Sequence, residues 1–444
     1  IFIVLAVCVS LGGVLATYFL ATRAPSVQTG SILWLRVPDN LTEYVPENLF
    51  GQLVGGRRET VGSVIEVLRK AKVDERVEGV VVFPSLQQGM WGKVQEIRDA
   101  MLDFKESGKP LVAYLEYGGG QQYYLATAAD SVFLTPTSSV DLVGVASYEL
   151  FFREALDSVG VHPDMLHAGD FKTASNTFTE TTFTPEHREM AESLNRDLYE
   201  QLVSGIAAGR DLTEVEVRRL IDDGPFLPGD AVAVGLVDRL VYEDELVGLD
   251  PLPPSASRRL EYRDYQQLDA RSLGLNGGPQ VAVIYASGTI NFGDSGLDVS
   301  GSEIVGSQAM VRAIRAARKD SSVEAIVLRI DSPGGVAIAS DIIWREVELA
   351  RQEKPVVASM SDVAASGGYY IAASADVVVA QPGTLTGSIG VVGGKFTIGR
   401  ALERWGVNVE TITSGAMAEI NSPFSPFSDE TRARVQRHID GTYE

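Results

Sequence analysis

The sequence predicts an α/β protein built from two tandem copies of one domain, each around a parallel sheet. Three observations carry this. Val77-Glu78-Gly79-Val80-Val81 recurs as Val323-Glu324-Ala325-Ile326-Val327, and Tyr123-Tyr124-Leu125-Ala126 as Tyr369-Tyr370-Ile371-Ala372, both about 246 positions on. Thr184-Pro185-Glu186-His187-Arg188 is matched by Ser428-Asp429-Glu430-Thr431-Arg432 at about the same spacing. Within each copy, short β-branched runs alternate with stretches of helical periodicity, the pattern of strand–helix–strand crossovers. The period is far longer than a solenoid or propeller unit, so it marks a duplicated domain. A chain of 444 residues also exceeds what one core usually supports.

Taken in order, Ile1–Thr22 carries no charge and is just long enough to span a bilayer core, so a transmembrane anchor is expected over 1–22. A cleaved signal peptide is the competing reading, from Ala21-Thr22-Arg23-Ala24, but the apolar run is longer than such segments usually carry. Ser31–Val37 and Gln280–Ala286 read as the opening strands of the two copies. Helices over Val61–Lys72 and Ser307–Arg318 follow, then buried parallel strands over Gly79–Phe83 and Ala325–Ile330. The next helices, Val94–Ser107 and Ser340–Gln352, run into Lys109-Pro110 and Lys354-Pro355, where a residue preceding proline leaves the helical region. Pro251, Pro253 and Pro254 in a Ser-, Arg- and Gly-rich stretch put a linker over 250–278, with the copies spanning 31–249 and 279–444. Copy one continues past its Glu186–Ala208 helix to about Leu246, so the second copy is expected to be truncated at its C-terminal end.

Net charge is −21, which repels phosphate backbones and anionic lipid and argues against nucleic-acid binding. Cys8 is the sole cysteine, so an intrachain disulfide or a cysteine metal cluster is impossible.

Chemistry concentrates in copy two. Asp331-Ser332-Pro333-Gly334-Gly335 follows a strand, and Ala364-Ala365-Ser366-Gly367-Gly368-Tyr369-Tyr370 follows another and opens a helix. Glycines at strand exits let backbone N–H groups face a cleft without an intervening Cβ. Two such donors can hold an oxyanion, and a hydroxyl at the helix start can attack a carbonyl. Tight-turn glycines and an N-cap serine are the plainer reading of either segment alone; their joint presence favours function. A serine nucleophile needs a base. The four histidines are His162, His167, His187 and His438, none of them between the Ser-Pro-Gly-Gly turn and Gly415. Lysine serves instead if burial disfavours its ammonium form. Lys172, in Ala168-Gly169-Asp170-Phe171-Lys172-Thr173-Ala174-Ser175, is the candidate, against the commoner fate of a solvated lysine. Asp130 and its counterpart Asp376 read as turn or cap residues after a helix.

Asp331–Gly335, Ala365–Tyr370 and Leu385-Thr386-Gly387-Ser388-Ile389-Gly390-Val391, in that order and with the tandem copies, resemble the double-length, membrane-anchored signal peptide peptidase A family. The resemblance covers almost the whole chain. It implies a Clp protease/crotonase-like fold of ββα units stacked in a spiral, with Ser366 as nucleophile and Lys172 as general base. Ser388 would orient the lysine, and Gly335 and Gly367 would supply the oxyanion N–H groups, with Gly334 as the alternative to Gly335. Copy one lacks these groups: Gln87-Gln88-Gly89 replaces Pro333-Gly334-Gly335, Gly120 falls opposite Ser366, and Val140-Asp141-Leu142 replaces the Ser388 region. Copy two lacks the lysine, with Ala418 opposite Lys172. The resemblance further implies peptide substrates such as signal-peptide remnants and no cofactor or metal. It also implies a homo-oligomer, a tetramer, at a bacterial inner membrane with its catalytic domains extracytoplasmic. Two rivals are an acyl-CoA enzyme of the crotonase type, which needs neither Ser366 nor an anchor, and a non-catalytic membrane scaffold of the same fold.

Overall fold

The computed structural model describes residues 27–39, 41–44, 59–85, 90–255 and 258–444. The expected anchor over 1–22 lies outside the described residues. Among those described, no helix is long and apolar enough to cross a membrane.

The expected elements form in sequence order. Strand β1 is Ser31–Val37, helix α1 Val61–Val73, β2 Val77–Pro84 and α2 Trp91–Lys105. Then come β3 (Leu111–Leu115), β4 (Gly118–Gly119), α3 (Gly120–Ala126), β5 (Ser131–Leu134) and β6 (Val140–Asp141). Strand β7 (His162–Ala168), the long α4 (Pro185–Arg210), β8 (Arg239–Leu240) and β9 (Arg258–Glu261) complete the first part. The second part runs β10 (Gln280–Ser287), α5 (Ser307–Lys319), β11 (Val323–Ser332), α6 (Ala337–Arg351) and β12 (Val356–Ala365). It ends with α7 (Gly367–Ala372), β13 (Val377–Val379), β14 (Leu385–Gly387), β15 (Val391–Thr397) and α8 (Asp429–Tyr443).

Contacts divide the chain into two compact units, which cut across the sequence repeats. The described parts of Ile1–Gly89, Glu96–Val143 and Gly205–Gly278 form unit one; Met90–Gln95, Gly144–Ser204 and Pro279–Glu444 form unit two. In unit one the strands order as β8-β5-β3-β2-β1-β9, all parallel. In unit two the order is β10-β11-β12-β13, with β14 also pairing with β12, again all parallel.

The duplication extends to register and to capping. Both sheets begin with the same irregularity: Ser31↔Val77 steps to Ile32↔Gly79, and Gln280↔Val323 steps to Val281↔Ala325. The two Lys-Pro pairs have one job. Lys109 Nζ donates to the carbonyls of Ala71 (2.7 Å) and Asp74 (2.7 Å) at the end of α1, and Lys354 Nζ donates to those of Ala317 (2.9 Å) and Asp320 at the end of α5. A cation there satisfies orphan carbonyls and faces the negative end of the helix dipole. Asp130 and Asp376 are the turn residues expected: each accepts the first N–H of a strand, Leu111 and Val356, at 2.8 Å.

The stretch expected to be a linker, 250–278, is instead folded onto unit one. Strand β9 pairs with β1, and Leu252, Tyr262 and Tyr265 are buried. The prolines flank buried Leu252 without interrupting a regular element, and Lys70, itself fully buried, donates to the carbonyls of Gln266 and Leu268.

One face of the unit-one sheet carries Ile32, Trp34, Val81, Phe83, Tyr114 and Phe133, covered by Val241, Leu246 and Leu252. In unit two the helix-covered face holds the core of Ile326, Leu328, Ile330, Ile343 and Met360. Its other face carries Val281, Val283 and Tyr285, all exposed.

Candidate active site

Ser366 stands at the junction of β12 and α7, with φ +53° and ψ −116°. That conformation is strained for a residue with a Cβ, and non-glycine residues held there concentrate at functional sites. Two backbone bonds hold it: its N–H donates to Gly387 O at 2.8 Å, and its carbonyl accepts from Tyr370 N–H at 2.9 Å. The register of β12 against β14 explains the first. Ala365 pairs with Gly387, so the next residue on each strand, Ser366 and Ser388, leave the sheet side by side. Ser388 is also in the left-handed region, at φ +48°.

Lys172 reaches the same place from the other part of unit two. Strand β7 pairs antiparallel with β15, from Thr397↔His162 to Val391↔Ala168. Beyond Ala168 the chain turns at Gly169 (φ +96°) and delivers Lys172, whose N–H donates to Gly169 O at 3.1 Å. Gly390 makes room for it: a Cβ there would lie 2.9 Å from Lys172 Cβ and 2.5 Å from Ala168 O. Lys172 is 4 % exposed. Its amine donates to Ser388 O (2.6 Å) and Ser388 Oγ (3.1 Å). Among the described residues no carboxylate pairs with it, and the amine makes no hydrogen bond to Ser366 Oγ. Burial without a compensating anion pushes its pKa below the ordinary lysine value.

Gly334, Gly335 and Gly367 close the opposite side. Gly334 has φ +94°, and a Cβ on it would meet Gly367 N at 2.5 Å and Ser366 Cβ at 2.8 Å. A Cβ on Gly335 would fall 2.0 Å from Ile290 O, and one on Gly367 would fall 2.4 Å from Ser340 Oγ and 3.2 Å from Gly335 N. At Gly334 and Gly335 the obstacle is backbone, so only glycine fits; at Gly367 the Ser340 hydroxyl would have to move aside. The Gly334 N–H is engaged, donating to Ser332 Oγ at 3.1 Å, and its carbonyl accepts from Ile290 N–H at 2.8 Å. Among the described residues the N–H groups of Gly335 and Gly367 have no acceptor, which leaves that pair available to a ligand oxygen.

The comparisons with known proteins bear on this geometry. The family model for Peptidase family S49 matches residues 103–249 and 348–444, more than half of the chain and both of its copies. The chain belongs to peptidase family S49. This S49 chain is 33% identical over 93% of its length to a protein named "Serine protease SPPA, chloroplastic" from Arabidopsis thaliana, covering 61% of that protein. It is 30% identical to "Protease 4" of Haemophilus influenzae, over 92% of the chain and 67% of the relative. To "Protease 4" of Salmonella typhi it is 31% identical, over 86% and 63%. The chain thus spans about two thirds or less of the length of these relatives.

In copy one of the S49 chain, among the described residues, the counterparts of the two serines carry no hydroxyl: Gly120 stands at the position of Ser366 and Leu142 at that of Ser388. Gly118↔Val140 and Gly119↔Asp141 reproduce the β12–β14 pairing in miniature, and Leu142 is buried.

Sequence reasoning missed one cluster behind the site. Lys93 Nζ lies 2.6 Å from Asp331 Oδ2 and 3.3 Å from Asp362 Oδ2. Burial, against the pull of Lys93, raises the pKa of Asp362. Asp331 belongs to a quoted motif, but no sequence signal singles out Lys93: its repeat counterpart is Ala339.

Proposed function

We propose that this chain is a serine endopeptidase using Ser366 and Lys172, acting on unfolded, apolar peptides such as signal-peptide remnants. The observation that carries the reading is the buried, anion-free Lys172 amine held on Ser388, the immediate neighbour of the strained Ser366. A neutral amine has two hydrogens and one lone pair. Both hydrogens are spent on the two oxygens of Ser388, which leaves the lone pair for the proton of Ser366 Oγ. Substrate binding brings Oγ and Nζ together, as apo catalytic bonds tighten in the Michaelis complex. Ser366 Oγ then attacks the peptide carbonyl, and the tetrahedral oxyanion accepts from the N–H groups of Gly335 and Gly367. Protonated Lys172 donates to the leaving amine, and water, deprotonated by the same lysine, resolves the acyl-enzyme.

The finer parts of the reading rest on resemblance and on the apolar run. The two repeats, 31–249 and 279–444, are Clp protease/crotonase-like domains; Ile1–Thr22 anchors the chain in a bacterial inner membrane with the catalytic units extracytoplasmic; and the assembly is a homotetramer. Resistance of the chain to alkaline carbonate extraction, lost when 1–22 is deleted, tests the anchor.

For the chemistry, a fluorophosphonate probe is the direct test. It should label Ser366 in the wild-type chain, fail on Ser366→Ala, and react far more slowly with Lys172→Ala. Hydrolysis of an unfolded casein should fall by roughly 10³-fold or more in both variants, with circular dichroism unchanged. Turnover retained by Ser366→Ala would sink the proposal.

A further inference from the structure

We infer that Lys93 is a positioning residue for this site: it fastens the β-bulge that aims Ser366. The inference rests on reading Ser366 as the nucleophile. Its physical basis is a register change. Strands β11 and β12 pair regularly up to Ile330↔Met360, and then resume at Ser332↔Ala364. Asp331 therefore stands opposite three residues, Ser361, Asp362 and Val363. The surplus backbone on β12 has to bow out, and the size of that bow sets where Ala364, Ala365 and Ser366 fall relative to the Gly334–Gly335 turn.

Four contacts hold the bow at one size. Asp331 Oδ1 accepts from Val363 N–H at 3.1 Å, while its Oδ2 accepts from Lys93 Nζ at 2.6 Å. Asp362 Oδ1 accepts from the backbone N–H of Lys93 at 2.8 Å, and its Oδ2 lies 3.3 Å from the same amine. Lys93 thus bridges the single residue on β11 and the middle of the bulge on β12. The side chains are 11 %, 15 % and 6 % exposed for Lys93, Asp331 and Asp362, so water cannot replace these bonds cheaply. The backbone closes in beside them: a Cβ on Gly92 would sit 2.8 Å from Ser361 O. On the far side Thr384 Oγ1 donates to that same carbonyl at 2.7 Å, one residue before β14 begins. The clamp therefore sits between the oxyanion turn, the nucleophile strand and the strand that leads into Ser388. Its amine is spent on carboxylates, so it acts through Ser366 and not on substrate.

The test uses the full chain with Lys93→Met and Lys93→Arg. Two readouts are needed: kcat and KM on an unfolded casein, and amide hydrogen exchange in peptides covering 328–336 and 359–372. Lys93→Met should lower kcat about 100-fold, the cost of a misplacement on the order of 1 Å, with KM within about twofold. Exchange should rise in both peptides and nowhere else. Lys93→Arg, which can still bridge two carboxylates, should recover most of kcat. If Lys93→Met does not fold, Lys93→Met with Asp362→Asn keeps the net charge of the cluster and removes one of the two facing anions; the same kcat loss and local exchange are expected. Wild-type exchange in both peptides, or a kcat within twofold of wild type, overturns the clamp. Ser366→Ala separates the two ideas: it should lose turnover while its exchange stays at the wild-type level. Turnover that survives Ser366→Ala would defeat the nucleophile reading, and the exchange of Lys93→Met would still decide the clamp.

Discussion

At the scale of single residues, the proposed Ser366–Lys172 pair turns on protonation. A lysine works as a base only when neutral, and Lys172 is brought toward neutrality by burial alone, since no anion faces it among the described residues. The rate should therefore be low in acid and rise with pH as the amine loses its proton, with an apparent pKa in kcat/KM below the ordinary 10.5. Lys172→Arg, which cannot be deprotonated, should be inactive at every pH. The same shift has a stability sign. Between the folded-state pKa of Lys172 and 10.5 the unfolded chain binds one more proton, so stability rises with pH across that window. Below the folded pKa the buried charge is a cost. Lys172→Met should accordingly be more stable than wild type at neutral pH, and the gain should shrink as pH approaches 10.5, as denaturant titrations at several pH values would record. Ser388→Ala removes one of the two oxygens on the amine and leaves the carbonyl; we expect kcat to fall by about tenfold and the apparent pKa to drop, because an acceptor favours the charged amine. An unmoved pH–rate profile would deny Ser388 its orienting part.

At the scale of elements, the site is made by strand ends. Ala365↔Gly387 sets Ser366 beside Ser388, and Ala168↔Val391 carries Lys172 to them. Of the first juxtaposition, only Ser366 was legible in the residues themselves, as a hydroxyl between a strand and a helix; that Ser388 belongs beside it came through resemblance, because the strand Leu385–Gly387 is too short to announce itself. The second was legible only through resemblance: nothing in the spacing of Lys172 and Val391 says that β7 and β15 pair. Gly390 was quoted within a motif, yet its reason is visible only in space. At φ +151°, with a Cβ position 2.5 Å from Ala168 O and 2.9 Å from Lys172 Cβ, it is the gap through which the lysine passes. Gly390→Ala should therefore slow fluorophosphonate labelling of Ser366 by roughly 10²-fold, the scale of a 1 Å misplacement. Gly229→Ala is the control. That glycine has nothing within 4 Å of its Cβ position and no positive φ, so labelling should be unaffected.

At the scale of the whole molecule, the repeat and the contacts partition the chain differently. Sequence similarity records descent from one domain, whereas contacts record which sheet each segment packs on. Gly144–Ser204 descends from copy one but belongs to unit two, because β7 pairs with β15 and α8 packs on both. The duplicated sheets also differ in what covers them. Ile32 pairs with Gly79, and Val281 pairs with Ala325, so Ile32 and Val281 are the same position in two copies. Ile32 is 2 % exposed beneath the cluster of Val241, Leu246 and Leu252, while Val281 is 51 % exposed. Alternation along the strand puts Val283 and Tyr285 on the same uncovered face. Truncation should therefore have opposite consequences at equivalent sites. Ile32→Ala deletes a fully packed side chain and should cost ~2–5 kcal/mol in chemical denaturation, with a lower midpoint. Val281→Ala removes a side chain half in water and should stay within about 1 kcal/mol. Running both titrations at low and high protein concentration makes the contrast sharper. A Val281→Ala cost that grows with concentration would mean that a second copy covers this face in solution; a cost that stays small throughout is what an uncovered sheet requires.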